Sequence, residues 1–112
     1  MTLPMLRGEI WWVDFEPATG GEIKKTRPAV IVSNNAANAS LNRIQVVPLT
    51  SNTGRVYASE SVVNVGGKPS KAMADQITTA AKERFKGKLG VISIQEMSAL
   101  EQVIKIQLGM QA

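Results

Sequence analysis

Helical periodicity occurs once in this chain, close to its end, and everything before it reads as short β-rich runs broken by turn residues. Ser93-Ile94-Gln95-Glu96 matches a capping box, in which the serine hydroxyl and the glutamate carboxylate each satisfy a free amide at a helix start. Met97, Leu100, Val103, Ile104 and Leu108 then recur at spacings of three and four, and Gly109 stops the run. One amphipathic helix should therefore lay an apolar stripe on whatever the preceding strands build. Parallel strands need a crossover, usually helical, between each pair, so a chain with a single late helix is confined to a mainly antiparallel sheet, strongly curved or closed into a small barrel.

The strands can be placed from composition and punctuation. EIWWVDF (9–15) is β-branched and aromatic and ends at Glu16-Pro17; Trp11, Val13 and Phe15 should share one face, and Trp11 and Trp12 should point to opposite sides. One tryptophan then belongs to the core and the other reaches a surface open to a protein partner. PATGGEIKKTR (17–27) is a long basic loop, interrupted by a proline and paired glycines. PAVIVS (28–33) has the unbroken apolar character of a buried strand. NNAANASL, ending at Leu41, is a connection, and RIQVVPLT (43–50) is a further strand in which Pro48 suggests an edge or a bulge. SVVNV (61–65) is a strand, and SKAMADQITTA is taken as strand through Thr79. KERFKGK (82–88), with four basic residues to one acid, reads as a solvated face outside any site.

Composition narrows the chemistry. The 112 residues suffice for one domain, spanning 1–112. Thirteen Lys and Arg against nine Asp and Glu give a net charge of +4, which favours a polyanionic partner, but the basic residues are not gathered into a tail. Cysteine and histidine are both absent. That removes thiolate nucleophiles, zinc-thiolate sites and histidine acid–base pairs, and leaves carboxylates, hydroxyls, Lys, Arg, Tyr and backbone for any catalysis. No metal and no cofactor are expected. No segment has the length and apolar character of a membrane span or a signal peptide, so a soluble, cytoplasmic protein with no membrane partner is expected.

Four segments, in order, carry a resemblance to a known family. RGEIWWVDFEPATGGEIKKTRPAVIVSN (7–34), RIQVVPLTS (43–51), KAMADQITT (71–79) and LGVISIQEMSALEQVIKIQLG (89–109) resemble successive signatures of the MazF/PemK/Kid toxins of type II toxin–antitoxin systems. The resemblance implies a mainly β, SH3-like, partly open small barrel with a C-terminal helix. It implies a homodimer and a cognate antitoxin whose C-terminal segment blocks the active face. It also implies sequence-specific, metal-independent cleavage of single-stranded RNA such as mRNA by attack of the ribose 2′-hydroxyl, leaving a 2′,3′-cyclic or 3′-phosphate and a 5′-hydroxyl.

Such a reaction needs a base for the 2′-hydroxyl, donors or cations for the phosphorane oxygens, and a proton for the departing 5′-oxygen. Arg27, at the junction of the basic loop and a strand, has a guanidinium fork suited to phosphoryl oxygens; an isolated Arg-Pro would be a surface arginine, but the family's catalytic arginine falls at this place. Thr50, at a strand end, matches the family's second catalytic position, and Ser51 beside it joins the RNA-binding set. Glu22 is either the base or orienter of Arg27 or a solvated loop acid. Lys24 and Lys25 hold flanking phosphates or serve solubility alone, and Gln76 has the donor and acceptor needed to read a base edge. Two rivals stand beside this reading: a non-catalytic CcdB-like toxin that binds DNA gyrase, and an RNA-binding barrel without activity.

Overall fold

The computed structural model describes residues 4–111. The elements run β1 (Glu9–Asp14), β2 (Thr26–Ile31), α1 (Asn35–Ser40), β3 (Arg43–Thr50), β4 (Glu60–Val65), β5 (Lys68–Met73), β6 (Thr78–Ala81), β7 (Phe85–Val91) and α2 (Ile94–Gln107). Every pairing is antiparallel, in the order β4-β5-β3-β2-β1-β7, with β6 joined to β3 away from that path. The sheet curls into a half-barrel, which is the mainly β, partly open architecture expected from the sequence. Two register shifts between β1 and β7 increase the local twist where the sheet bends.

β1, β2 and β3 are apolar on both faces, and this explains the unbroken Ala29-Val30-Ile31 run. Trp11, Val13, Phe15, Ala29, Ile31, Ile44, Val46 and Phe85 fill one side of the sheet. Ile10, Val30, Val47, Leu49, Val63 and Ala72 fill the other, under Leu100 of α2 with Met97, Val103 and Ile104 beside it. The helical stripe thus lands where expected, except that Leu108 caps the helix and stays exposed. Trp11 is buried against the edge of Phe85, and Trp12 is 39% exposed, as alternation requires.

Four local expectations are corrected. The 35–40 connection is a short helix, because the Asn34 side chain accepts from the Ala37 amide and Asn38 is buried; six residues are too few to display a helical period. The continuous strand through Thr79 is interrupted by a 3-10 turn at Ala74–Gln76 that lets the chain leave β5 and rejoin β3 as β6. Pro48 marks neither an edge nor a bulge. It sits where one edge of β3 changes partner, between Arg43–Val46 on β6 and Leu49–Thr50 on β5, so the missing N–H falls in the gap between two ladders. The KERFKGK run is not wholly a solvated face: Phe85 is buried, and the Arg84 guanidinium donates to the carbonyls of Asp14 and Glu16.

Two carboxylates tie the ends of the chain to the sheet. Glu9 is buried and accepts from the Leu6 amide at 2.9 Å, the Trp11 indole at 3.0 Å and the Lys88 ammonium at 2.8 Å. Glu96 completes the capping box with Ser93 and accepts from the Asn64 amide of β4 at 2.7 Å, which fastens α2 to the sheet. Burial alone would raise the pKa of both, but these donors outweigh it, so each carboxyl lies below its ordinary value. A carboxyl with a depressed folded pKa stabilises the fold fully above its unfolded pKa, and that contribution disappears as pH falls through the folded pKa. Urea midpoints should therefore hold from neutral pH down to about 5 and then decline, and Glu9→Gln should show a shallower decline than the wild type.

Candidate functional site

The antiparallel register of β2 and β3 dictates what meets at their shared end. Ala29 pairs with Pro48, and continuing that register by two residues sets Arg27 level with Thr50. Both line one open hollow of about 350 Å3, together with Trp12 of β1, Lys25, Ser51 and Ser70 of β5. Residues distant in sequence are brought to one place because β1, β2, β3 and β5 lie side by side. The lining holds two cations and no carboxylate, so its charge suits an anion.

Local geometry aims the two principal groups. Lys25 adopts a left-handed backbone conformation with φ 70°, its amide donating to Glu16 Oε1 at 3.0 Å and its carbonyl accepting from the Phe15 amide at 3.0 Å. This reversal leaves the Lys24 carbonyl facing Arg27, whose Nε donates to it at 2.9 Å. One edge of the guanidinium is thereby held. Its terminal nitrogens make no ion pair or hydrogen bond among the described residues and remain able to grip two phosphoryl oxygens. Thr50 Oγ1 accepts from the Asn52 amide at 3.3 Å, which leaves the hydroxyl proton free to be donated.

Glu22 and Gln76 line a second hollow of about 360 Å3, with Asp14, Asp75 and Arg84 among its walls. Glu22 Oε1 accepts from the Thr19 amide at 2.7 Å, and no ion pair joins it to Arg27 among the described residues; the Lys24 carbonyl orients that arginine instead. Gln76 fixes the β1–β2 loop, accepting from the Ile23 amide at 3.1 Å and donating to the Gly21 carbonyl at 3.2 Å. Most of its amide is thus committed to the protein. Of the predicted set, the structure gathers Arg27, Thr50, Ser51 and Lys25 in one hollow and Glu22 and Gln76 in the other, while Lys24 lines neither.

Three residues at these sites escaped the sequence reading. The sequence leaves open which tryptophan reaches the surface; Trp12 is the exposed one, and it walls the Arg27 hollow. Ser70 carries no local mark at all. Arg84 lay in a run dismissed as solvated, and only the fold brings its guanidinium beneath the β1–β2 loop.

The molecule is a curled half-barrel with a cationic hollow at one strand end, and comparison with known proteins places it in a family. Residues 6–108 match the family described as PemK-like, MazF-like toxin of type II toxin–antitoxin systems, and the chain belongs to that family. It is 42% identical to endoribonuclease MazF9 of Mycobacterium tuberculosis, over 95% of this chain and 98% of the relative. It is 30% identical to the endoribonuclease toxin MazF of Escherichia coli, over 91% and 92% of the two chains. Among solved structures, MazF of Deinococcus radiodurans superimposes with a TM-score of 0.86 at 23% identity, covering 97% of this chain and 100% of that one. A mycobacterial endoribonuclease in complex with its cognate antitoxin gives 0.81 at 24% identity, covering 96% and 98%. These structural likenesses bear on the fold.

Because Lys25 holds a conformation that a Cβ disfavours, Lys25→Gly should leave thermal stability unchanged or raise it by up to about 1 kcal/mol, and Lys25→Ile should lower it. Thermal melts of the two variants against wild type check the assignment. Equal destabilisation by both would show that the side chain, not the backbone, decides the position.

Proposed function

We propose that this chain is an endoribonuclease toxin that cuts single-stranded RNA by attack of the ribose 2′-hydroxyl on the adjacent phosphorus. The observation that carries the reading is the convergence of Arg27 and Thr50 on one hollow with no competing carboxylate. In this scheme the 2′-hydroxyl gives its proton to water as the P–O2′ bond forms, and the P–O5′ bond breaks with the 5′-oxygen taking a proton from water, giving a 2′,3′-cyclic phosphate and a 5′-hydroxyl. The positive charge of the Arg27 guanidinium neutralises the phosphorane oxygens. The Thr50 hydroxyl donates to the same phosphoryl group, and Lys25 and Ser51 hold the strand beside it. Gln76 helps to place the RNA along the adjoining hollow, where Glu22 orders the loop through the Thr19 amide, and Lys24 attracts flanking phosphates from outside both.

We propose that these groups carry the reaction without a metal ion. We further assign this chain a homodimeric state and a cognate antitoxin as its inhibitor, a reading supported by family membership and by the antitoxin bound to the mycobacterial relative. No helix is long and apolar enough to cross a membrane among the described residues, and we place the toxin in the cytoplasm, where mRNA is its substrate.

A fluorescent RNA oligonucleotide should be cut in excess EDTA, and the same oligonucleotide carrying 2′-deoxyribose at the scissile nucleotide should survive. Arg27→Ala and Thr50→Ala should each fold yet cut at least ~100-fold more slowly, the loss expected for a transition-state donor. Cleavage abolished by EDTA, or a 2′-deoxy substrate cut at the normal rate, would reject the mechanism.

A further inference from the structure

Lys71 has an ammonium in a place where an ammonium is costly. It sits on β5 opposite Thr50 of β3, and its side chain is only 9% exposed. An unpaired charge at such a depth costs several kcal/mol, so its partners must be well placed. All of them belong to, or adjoin, the loop over residues 51–59 that links Thr50 to β4. Lys71 Nζ donates to the Arg55 carbonyl at 2.7 Å, approaches Glu60 Oε1 at 3.3 Å and lies 5.6 Å from the centre of the Tyr57 ring. The same Glu60 oxygen, on a side chain 8% exposed, accepts from the Tyr57 amide at 2.7 Å. The Arg55 guanidinium covers the Tyr57 ring at 4.8 Å.

The loop is thus gripped at two backbone positions, Arg55 and Tyr57, by a buried ion pair, although most of its own residues are exposed. Charge-assisted bonds of this kind are the strongest available to hold an exposed loop. Between the grip and β3 lie Asn52, whose amide donates to Thr50 Oγ1, and Gly54, whose amide donates to Asn52 Oδ1 at 3.3 Å. A path of consecutive contacts therefore leads from the buried pair back to the Thr50 hydroxyl.

We propose that Lys71, paired with Glu60, is a positioning residue for cleavage: by pinning the 51–59 loop it holds the Asn52 amide on Thr50 Oγ1 and so fixes the direction in which that hydroxyl is offered to the phosphate. This rests on the assignment of Thr50 as a catalytic group. Lys71 itself touches no substrate. Its loss should lower kcat while leaving KM nearly unchanged, because the cationic hollow that attracts the RNA keeps its own residues.

The test is a double-mutant cycle in single-turnover cleavage, joined to trypsin digestion. Lys71→Met should reduce kcat about 10-fold or more with KM within about twofold, as expected for a misplaced reacting group. Lys71→Arg, which keeps the charge, should recover part of the loss. In a Thr50→Ala background, Lys71→Met should cause less than about a twofold further change, since two residues acting through one contact are not additive. Trypsin should cut after Arg55 faster in Lys71→Met than in wild type while the circular dichroism of the two agrees. Should Lys71→Met fail to fold, Glu60→Gln loosens the same grip and is expected to give the same pattern. Wild-type kcat in the folded variant, or an equal loss in both backgrounds, overturns the proposal; wild-type cutting by Thr50→Ala overturns the catalytic assignment beneath it.

Discussion

The pairing of β2 with β3 is the constraint on which the rest of this molecule depends. A shift of one residue would turn Val30 and Val47 away from α2 and carry Arg27 out of level with Thr50. Register is specified here by burial on both faces: Ala29 and Ile31 pack on one side while Val30 packs on the other, and all three are inaccessible to solvent. Core packing and the geometry of the candidate site are thus two consequences of one alignment. The site needs no dedicated scaffold because it occupies the end of the most constrained pair of strands.

β3 is the hub through which that alignment spreads. It meets β2 along one edge and divides the other between β6 and β5, so three further strands take their positions from its eight residues. Pro48 serves this division, since the missing N–H is harmless only where the partner changes. The two hollows follow from the same branching. One opens where β3 ends beside β5, and the other lies by Gln76 in the turn that separates β5 from β6, under the β1–β2 loop. Their linings differ in charge, with two cations and no acid in the first and three carboxylates beside one arginine in the second, so the first is the one suited to an anion.

Much of this was legible in the amino-acid order because the relevant signals are local. Alternation separated Trp11 from Trp12, the capping box located α2, and an unbroken apolar run announced the doubly buried β2. The family resemblance then singled out Arg27 and Thr50, which line one hollow. What stayed hidden required three dimensions or fell below the length at which a period can be seen. α1 has six residues, and the 3-10 turn at Ala74–Gln76 has three. Glu22 is close to Arg27 in sequence, but the loop directs its carboxylate to the Thr19 amide and supplies the Lys24 carbonyl in its place. Lys71 looks like any surface lysine until β4 and the loop before it close over it.

The central claim is that one phosphodiester lies between the Arg27 guanidinium and the Thr50 hydroxyl. A crystal structure of the protein with an oligoribonucleotide made uncleavable by a single 2′-deoxy substitution tests it most directly. The account predicts one phosphate within hydrogen-bond distance of both side chains, with the 2′ carbon of the preceding sugar turned toward that phosphorus. An oligonucleotide bound with its phosphates elsewhere, or with Arg27 and Thr50 on different phosphates, would contradict it.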